Sequence, residues 1–174
     1  MANNIQEAKL TGFAAYLPAV ADGNIESYQA AYDQNRQRVY SLAFWMTDNE
    51  MAAEELLGDT FRRAFSMSAA PSPEAIDRAF LNEVREITAL GTLTLDCGLA
   101  TEVLSIRSNM KRVHLERAVV QLPATERLIY LMHDGEAYSH THIAHMLGLR
   151  EDESVYGLHQ ARLRIRELVS DMTF

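Results

Sequence analysis

Twelve residues near the C-terminus constrain this chain more than any other feature: Tyr138-Ser-His-Thr-His-Ile-Ala-His-Met-Leu-Gly-Leu149. Ile143 and Leu147 lie one helical turn apart and supply apolar anchors. Ala144 is small enough to let a second helix backbone approach. Gly148 can take the left-handed conformation that stops a helix sharply. Beyond it, Leu158, Ala161, Ile165 and Leu168 recur at spacings of 3, 4 and 3 residues, the inward stripe of a second helix. The pattern predicts a helix-turn-helix: a short helix over Ser139 to Leu147, a turn at Gly148, and a last helix from about Glu153 to Asp171. The plainer alternative is a pair of core helices joined by a glycine turn.

The rest of the chain also reads as helical, so the expected fold class is all-α. From Ile25, apolar residues recur at Tyr28, Ala31, Tyr32, Val39, Leu42, Ala43 and Met46, close to the helical period. Asp48 or Asn49 then supplies an N-cap, and Asp48, Glu50 and Glu54 suit the positive end of the next helix. That helix has the cleanest stripe in the chain: Ala53, Leu56, Leu57, Thr60, Phe61, Ala64 and Phe65. Ser66 to Pro73 reads as a loop, and a third helix follows from about Pro73 to Leu90. Helical periodicity returns from Lys111 through Leu122. Pro123 opens a further helix, whose apolar side is Leu128, Ile129, Leu131 and Met132.

The expected organisation is an N-terminal arm (1–23), a helical domain (24–90), a connecting linker (91–110) and a helix-turn-helix domain (111–174). The linker holds Gly91, Gly98 and few charges, with weak alternation at Leu93 and Leu95 and a short helix over Ala100 to Arg107.

Composition narrows the function classes. The 174 residues are 48% hydrophobic and 23% charged, an ordinary globular balance. One cysteine, Cys97, excludes an intrachain disulfide and suggests a reducing compartment. The uncharged run Leu10 to Ala21 contains Pro18 and is too short to span a bilayer, so no membrane insertion is expected. No basic patch precedes an apolar core at the N-terminus, so no signal peptide is expected and the reading is cytoplasmic. No nucleophile elbow, phosphate-cradling glycine loop, HExxH or Cys–His arrangement is present, so the chain reads as a non-enzyme with no cofactor. Cys97 reads as a small buried apolar residue. The net charge of −8 argues against non-specific nucleic-acid binding.

Three further segments extend the pattern: Leu122-Pro-Ala-Thr-Glu-Arg-Leu-Ile-Tyr-Leu-Met132, Ser139-x-x-x-Ile-Ala-x-x-Leu-Gly148, and Leu158-His-Gln-Ala-Arg-x-Arg-Ile-Arg-Glu-Leu168. Together they resemble region 4 of bacterial RNA polymerase sigma factors, nearest the extracytoplasmic-function group. Upstream, Tyr28-Gln-Ala-Ala-Tyr-x-x-Asn-Arg-Gln-Arg-Val-Tyr and Asp48-x-Glu-x-Ala-Ala-Glu-Glu-Leu-Leu-x-Asp-Thr-Phe-Arg-Arg-Ala-Phe65 resemble their region 2.

The resemblance implies two small helical domains, region 2 docking on core RNA polymerase and opening the −10 element, region 4 reading the −35 element. Carried over by position, polymerase binding falls on Glu50, Glu54, Glu55 and Asp59. Contact with the −10 element falls on Arg62, Arg63 and Phe65, where an aromatic face could stack on an extruded base. Phe61 reads as core; for Phe65, core and base-stacking stay open. Promoter reading by the helix-turn-helix falls on Ser139, Arg150, Ser154, Tyr156, His159, Gln160 and Arg162.

The chain departs from the family where DNA should be. The recognition helix of the family begins with a Thr-Val-Lys-Ser-Arg type sequence; here it is Glu153-Ser-Val-Tyr-Gly157, preceded by Glu151 and Asp152. Three carboxylates there answer the helix dipole from within and repel phosphate. Gly157 inside the helix costs about 1 kcal/mol relative to Ala. His142 and His145 share a face, but no cysteine or carboxylate cluster completes a metal site, so no metal is expected. Two functional expectations follow. One is a sigma-type initiation factor that brings core RNA polymerase to promoter DNA. The other is a sigma-like protein-interaction module, bound by an anti-sigma factor or another partner, that has lost promoter reading.

Overall fold

The computed structural model describes residues 25–68, 70–98 and 111–172, and among these the regular structure is helical throughout. The expected arm and the expected short helix at Ala100 to Arg107 lie outside the described residues. The chain divides into two units, Met1–Ile87 and Thr88–Phe174.

The first unit is three helices: α1 (Ile25–Thr47), α2 (Glu50–Met67) and α3 (Pro73–Ile87). Asn49 caps α2 by accepting the Ala52 N–H at 3.0 Å. The α2 stripe is buried as its spacing requires, from Ala53 through Phe65, and α2 packs on both α1 and α3. Tyr32 meets Phe61 edge-on with centroids 4.8 Å apart, and Phe61 lies 5.5 Å from Phe65. Burial of Phe61 and of Phe65 contributes roughly 1.5–3 kcal/mol each. Three polar groups join this core: Asp77 of α3 pairs with Arg38 of α1, and Arg38 also donates to Asn35 at 2.8 Å. α2 runs through Met67, so Ser66 and Met67 are helical rather than loop. Ser72 accepts the Ala75 N–H at the start of α3, and α3 stops at Ile87, three residues before the expected end.

The second unit holds α4 (Arg112–Val120), α5 (Ala124–Tyr130), a π-helical turn over Leu131–Gly135, α6 (His140–Leu147) and α7 (Glu151–Met172). α4, α5 and α6 all pack against α7. The corner between α4 and α5 is closed by Arg127, whose guanidinium donates to the carbonyls of Val120 and Leu122. Pro123 sits one position before α5, and its carbonyl accepts the Arg127 N–H at 2.8 Å. The two helices and the glycine turn between them form where the spacing places them, the second starting two residues early. Ser139 caps α6 by accepting the His142 N–H, and Gly148 ends it at φ 71°, ψ 31°. Ile143, Ala144, Leu147, Leu158, Ala161 and Ile165 are buried between the helices.

Of the expected linker 91–110, the structure describes residues 91–98. Residues 91–98 run extended along the second unit, with Leu93, Leu95 and Cys97 half-buried and Thr92, Thr94 and Asp96 exposed. The alternation noted at Leu93 and Leu95 is therefore a packing signal: one face of an extended segment turned toward helices. Residues 99–110 lie outside the described residues.

Candidate functional site

α7 is the element that any groove-reading function would use, and its first turn is acidic. Glu151, Asp152 and Glu153 all fall inside the helix, which begins two residues earlier than the sequence spacing placed it. Their carboxylates are engaged locally. Glu153 accepts the Arg150 N–H at 2.8 Å, and Glu151 accepts the Thr141 hydroxyl at 3.0 Å, tying α7 to α6. These bonds satisfy N–H groups and the helix dipole that would otherwise face an anion.

The seven residues expected to face DNA divide sharply. Tyr156 and His159 are exposed. Ser139 is an exposed cap residue. Arg150 is exposed but lies 3.2 Å from the Asp152 carboxylate and 3.6 Å from Glu153. Arg162 is held bidentately by Asp134, at 2.7 and 3.0 Å. The other two are buried. Ser154 is fully buried, its hydroxyl 3.0 Å from His140 Nδ1, because its place on the helix faces α6. Gln160 is 1% exposed, because the extended segment 91–98 lies over it.

That segment is anchored by side chains. The Gly91 N–H donates to Thr125 Oγ1 at 3.2 Å. The Thr94 and Leu95 N–H groups both donate to Glu126 Oε1, the latter at 2.7 Å. The Cys97 N–H donates to Gln160 Oε1, and Gln160 Nε2 donates back to the Gly98 carbonyl at 3.4 Å. Gly157 provides the seat: a Cβ there would stand 2.8 Å from Leu93 Cδ2 and 2.8 Å from Ile129 Cδ1. Gly91, at φ 93°, is the other required glycine, since its Cβ would meet the Leu147 carbonyl at 2.9 Å. Burial raises the Cys97 thiol above its ordinary pKa, with the Glu167 carboxylate adding to it. Asp96, beside Tyr156, helps desolvation raise the Tyr156 phenol.

The π-helical turn builds a second polar cluster on the other flank of α7. It places His133 against His140, rings stacked at 4.4 Å, and carries Asp134 to Arg162. A π turn inserts one residue into a helix and re-aims the side chains that follow. Burial alone would raise the Asp134 carboxyl, but the hydrogen bonds and charges of Arg162 and His133 outweigh it and hold the pKa low. Burial and the neighbouring His133 push His140 below its ordinary value. Among the described residues no three His, Cys, Asp or Glu side chains gather in a metal-binding geometry.

In the first unit, Glu50, Glu54 and Glu55 are exposed on α2 around Met51, which is 83% exposed, and Asp59 pairs with Arg62. Arg63 pairs with Glu83 of α3. Phe65 is 2% exposed, with Tyr28 packed 4.9 Å away, so in this structure its ring is part of the core.

Sequence reasoning missed Thr125, Glu126 and Asp134, and misassigned Gln160. The available signals were the Leu93-x-Leu95-x-Cys97 alternation and a glycine inside a helix at 157. No model of a known protein family matches the chain. No curated protein matches it closely enough to count as a relative.

Proposed function

We propose that this chain is a sigma-type transcription initiation factor, binding core RNA polymerase through its first unit and presenting promoter DNA to its second. The observation that carries the reading is the α6–α7 pair: a capped short helix, a left-handed Gly148 and a second helix whose stripe packs inward. This is the arrangement in which a second helix enters the major groove. The acidic α2 face around Met51 supports a protein-docking role for the first unit. Among the described residues no helix is long and apolar enough to cross a membrane.

A second reading has its own observation. Ser154 and Gln160 are buried, Arg150 and Arg162 are paired with carboxylates, and the first turn of α7 holds three acids. A surface so arranged suits a sigma-like interaction module, engaged by an anti-sigma factor or a similar partner, better than phosphate contact.

A pull-down with core RNA polymerase at low salt, followed by run-off transcription from candidate promoters, separates the two. Association plus specific transcripts supports initiation. DNA affinity should then fall with salt along the log–log line that counterion release dictates. Failure to associate with polymerase removes the first reading. Association without transcripts leaves the second.

A further inference from the structure

We infer that residues 91–98 form a releasable strap that closes over the partner-facing half of α7, latched by Glu126 and Gln160. The inference rests on the reading that α7 is the surface a partner meets, and concerns how that surface is controlled.

The strap is held in an unusual way. Among the described residues, its N–H groups at Gly91, Thr94, Leu95, Cys97 and Gly98 all donate to side chains: Thr125, Glu126, Gln160 or Asp96. It belongs to no backbone ladder, so its detachment breaks no secondary structure. Its inward side chains, Leu93, Leu95 and Cys97, are only half-buried. Sparse apolar burial and solvent-edged hydrogen bonds mark the low-stability end of a protein.

The latch is under tension. Glu126 is fully buried, and one oxygen takes the Thr94 and Leu95 N–H groups while Oε2 has no hydrogen-bond partner among the described residues. A buried carboxylate oxygen without a donor is costly. The strap's N–H groups fall on the other oxygen, Oε1, so this cost stays within the closed state. The closed state is thus favoured, but by a margin that a partner can overcome.

Closure and exposure differ at the residues that matter. With the strap down, Leu93 fills the space beside Gly157 and the Gln160 amide is consumed at both ends. With it lifted, α7 presents the Gly157 notch and an unoccupied Gln160 amide beside the already exposed Tyr156. Glutamine is one of the two side chains that pair bidentately with adenine in the major groove. One chain can therefore offer the closed surface of the second functional reading and the open surface of the first.

Cys97 is the chain's single cysteine and reports the strap directly. Maleimide labelling of the full chain, against a denaturant series, compares strap opening with global unfolding. Labelling should be faster than global unfolding permits, and Leu93→Ala and Gly157→Ala should each accelerate it about tenfold, with helical content retained. Labelling that follows global unfolding in all three proteins overturns the strap as a releasable element.

A second arm loosens it. Leu93→Ala removes the side chain that fills the space beside Gly157 and leaves every α7 residue in place. A pool of random-sequence DNA duplexes, with core RNA polymerase present, is the probe. The Leu93→Ala protein should bind about tenfold more tightly than wild type, because more of it is open. Equal measurable binding overturns the covering role. If neither protein binds DNA while wild-type Cys97 opens ahead of unfolding, the promoter reading falls and the strap stands.

Discussion

The two units use buried polar groups for opposite ends. In the first, Asn35, Asp77 and Arg38 answer one another across α1 and α3, inside a core of aromatic and aliphatic stripes. In the second, Thr125, Glu126 and Gln160 are buried in order to hold a piece of chain that belongs to no helix. One unit's polar groups fasten helix to helix. The other's fasten helix to an extended segment, a joint that can open without unfolding what it covers. The contrast teaches where rigidity is placed: both units are closed by packed helices, and the second also carries a segment held by a few directional bonds.

Two native probes sit on opposite sides of this comparison, Trp45 in α1 and Cys97 in the strap. The largest expected effect is Phe61→Ala, which should cost about 3–5 kcal/mol in Trp45-monitored denaturation, because it empties the centre of the α2 stripe. A loss under about 1 kcal/mol would show that the first unit is not held by packing. Asp77→Ala should cost about 2 kcal/mol by the same measurement, since it leaves the Arg38 guanidinium partly buried without that carboxylate. Leu93→Ala should cost only about 1 kcal/mol, reflecting half-burial, and its effect should fall on Cys97 labelling rather than on Trp45. A Trp45 shift as large as that of Phe61→Ala would erase the distinction between the units.

The smallest effect is one of pH. Burial, with the charge of His133, lowers the folded pKa of His140 below its ordinary 6.5, so the folded state holds the ring neutral. Its contribution is fully present above 6.5 and is lost as pH falls through the depressed folded value. His140→Gln should flatten that slope in the second unit and leave Trp45-monitored stability unchanged at every pH. An unchanged slope in the second unit would place the titration elsewhere.

Much of the fold was legible because helices announce themselves by period. The α2 stripe, the cap at Asp48 or Asn49 and the Gly148 stop each follow from residues a few positions apart. The site was legible only in part. Ser154 was placed on the DNA side because spacing from Gly148 gives the helix but not its rotation against α6. Phe65 sits at the end of a stripe, where burial depends on Tyr28 of another helix. Glu126 and Gln160 could not be paired with residues 94–97 from sequence, because side-chain bonds to an extended backbone carry no period. Gly157, a costly residue inside a helix, was visible as an anomaly; its use was not.

By itself, the sequence determined an all-α fold class with two helices joined at a glycine turn near its C-terminal end, since amphipathic period, caps and a left-handed glycine act over one or two turns. Tertiary structure alone decided which face of α7 is open. That depends on Leu93 meeting Gly157 and on Cys97 meeting Gln160, pairs more than sixty positions apart in the chain. Local residue preferences cannot reach that far; only the packed helices bring a strap and its seat together.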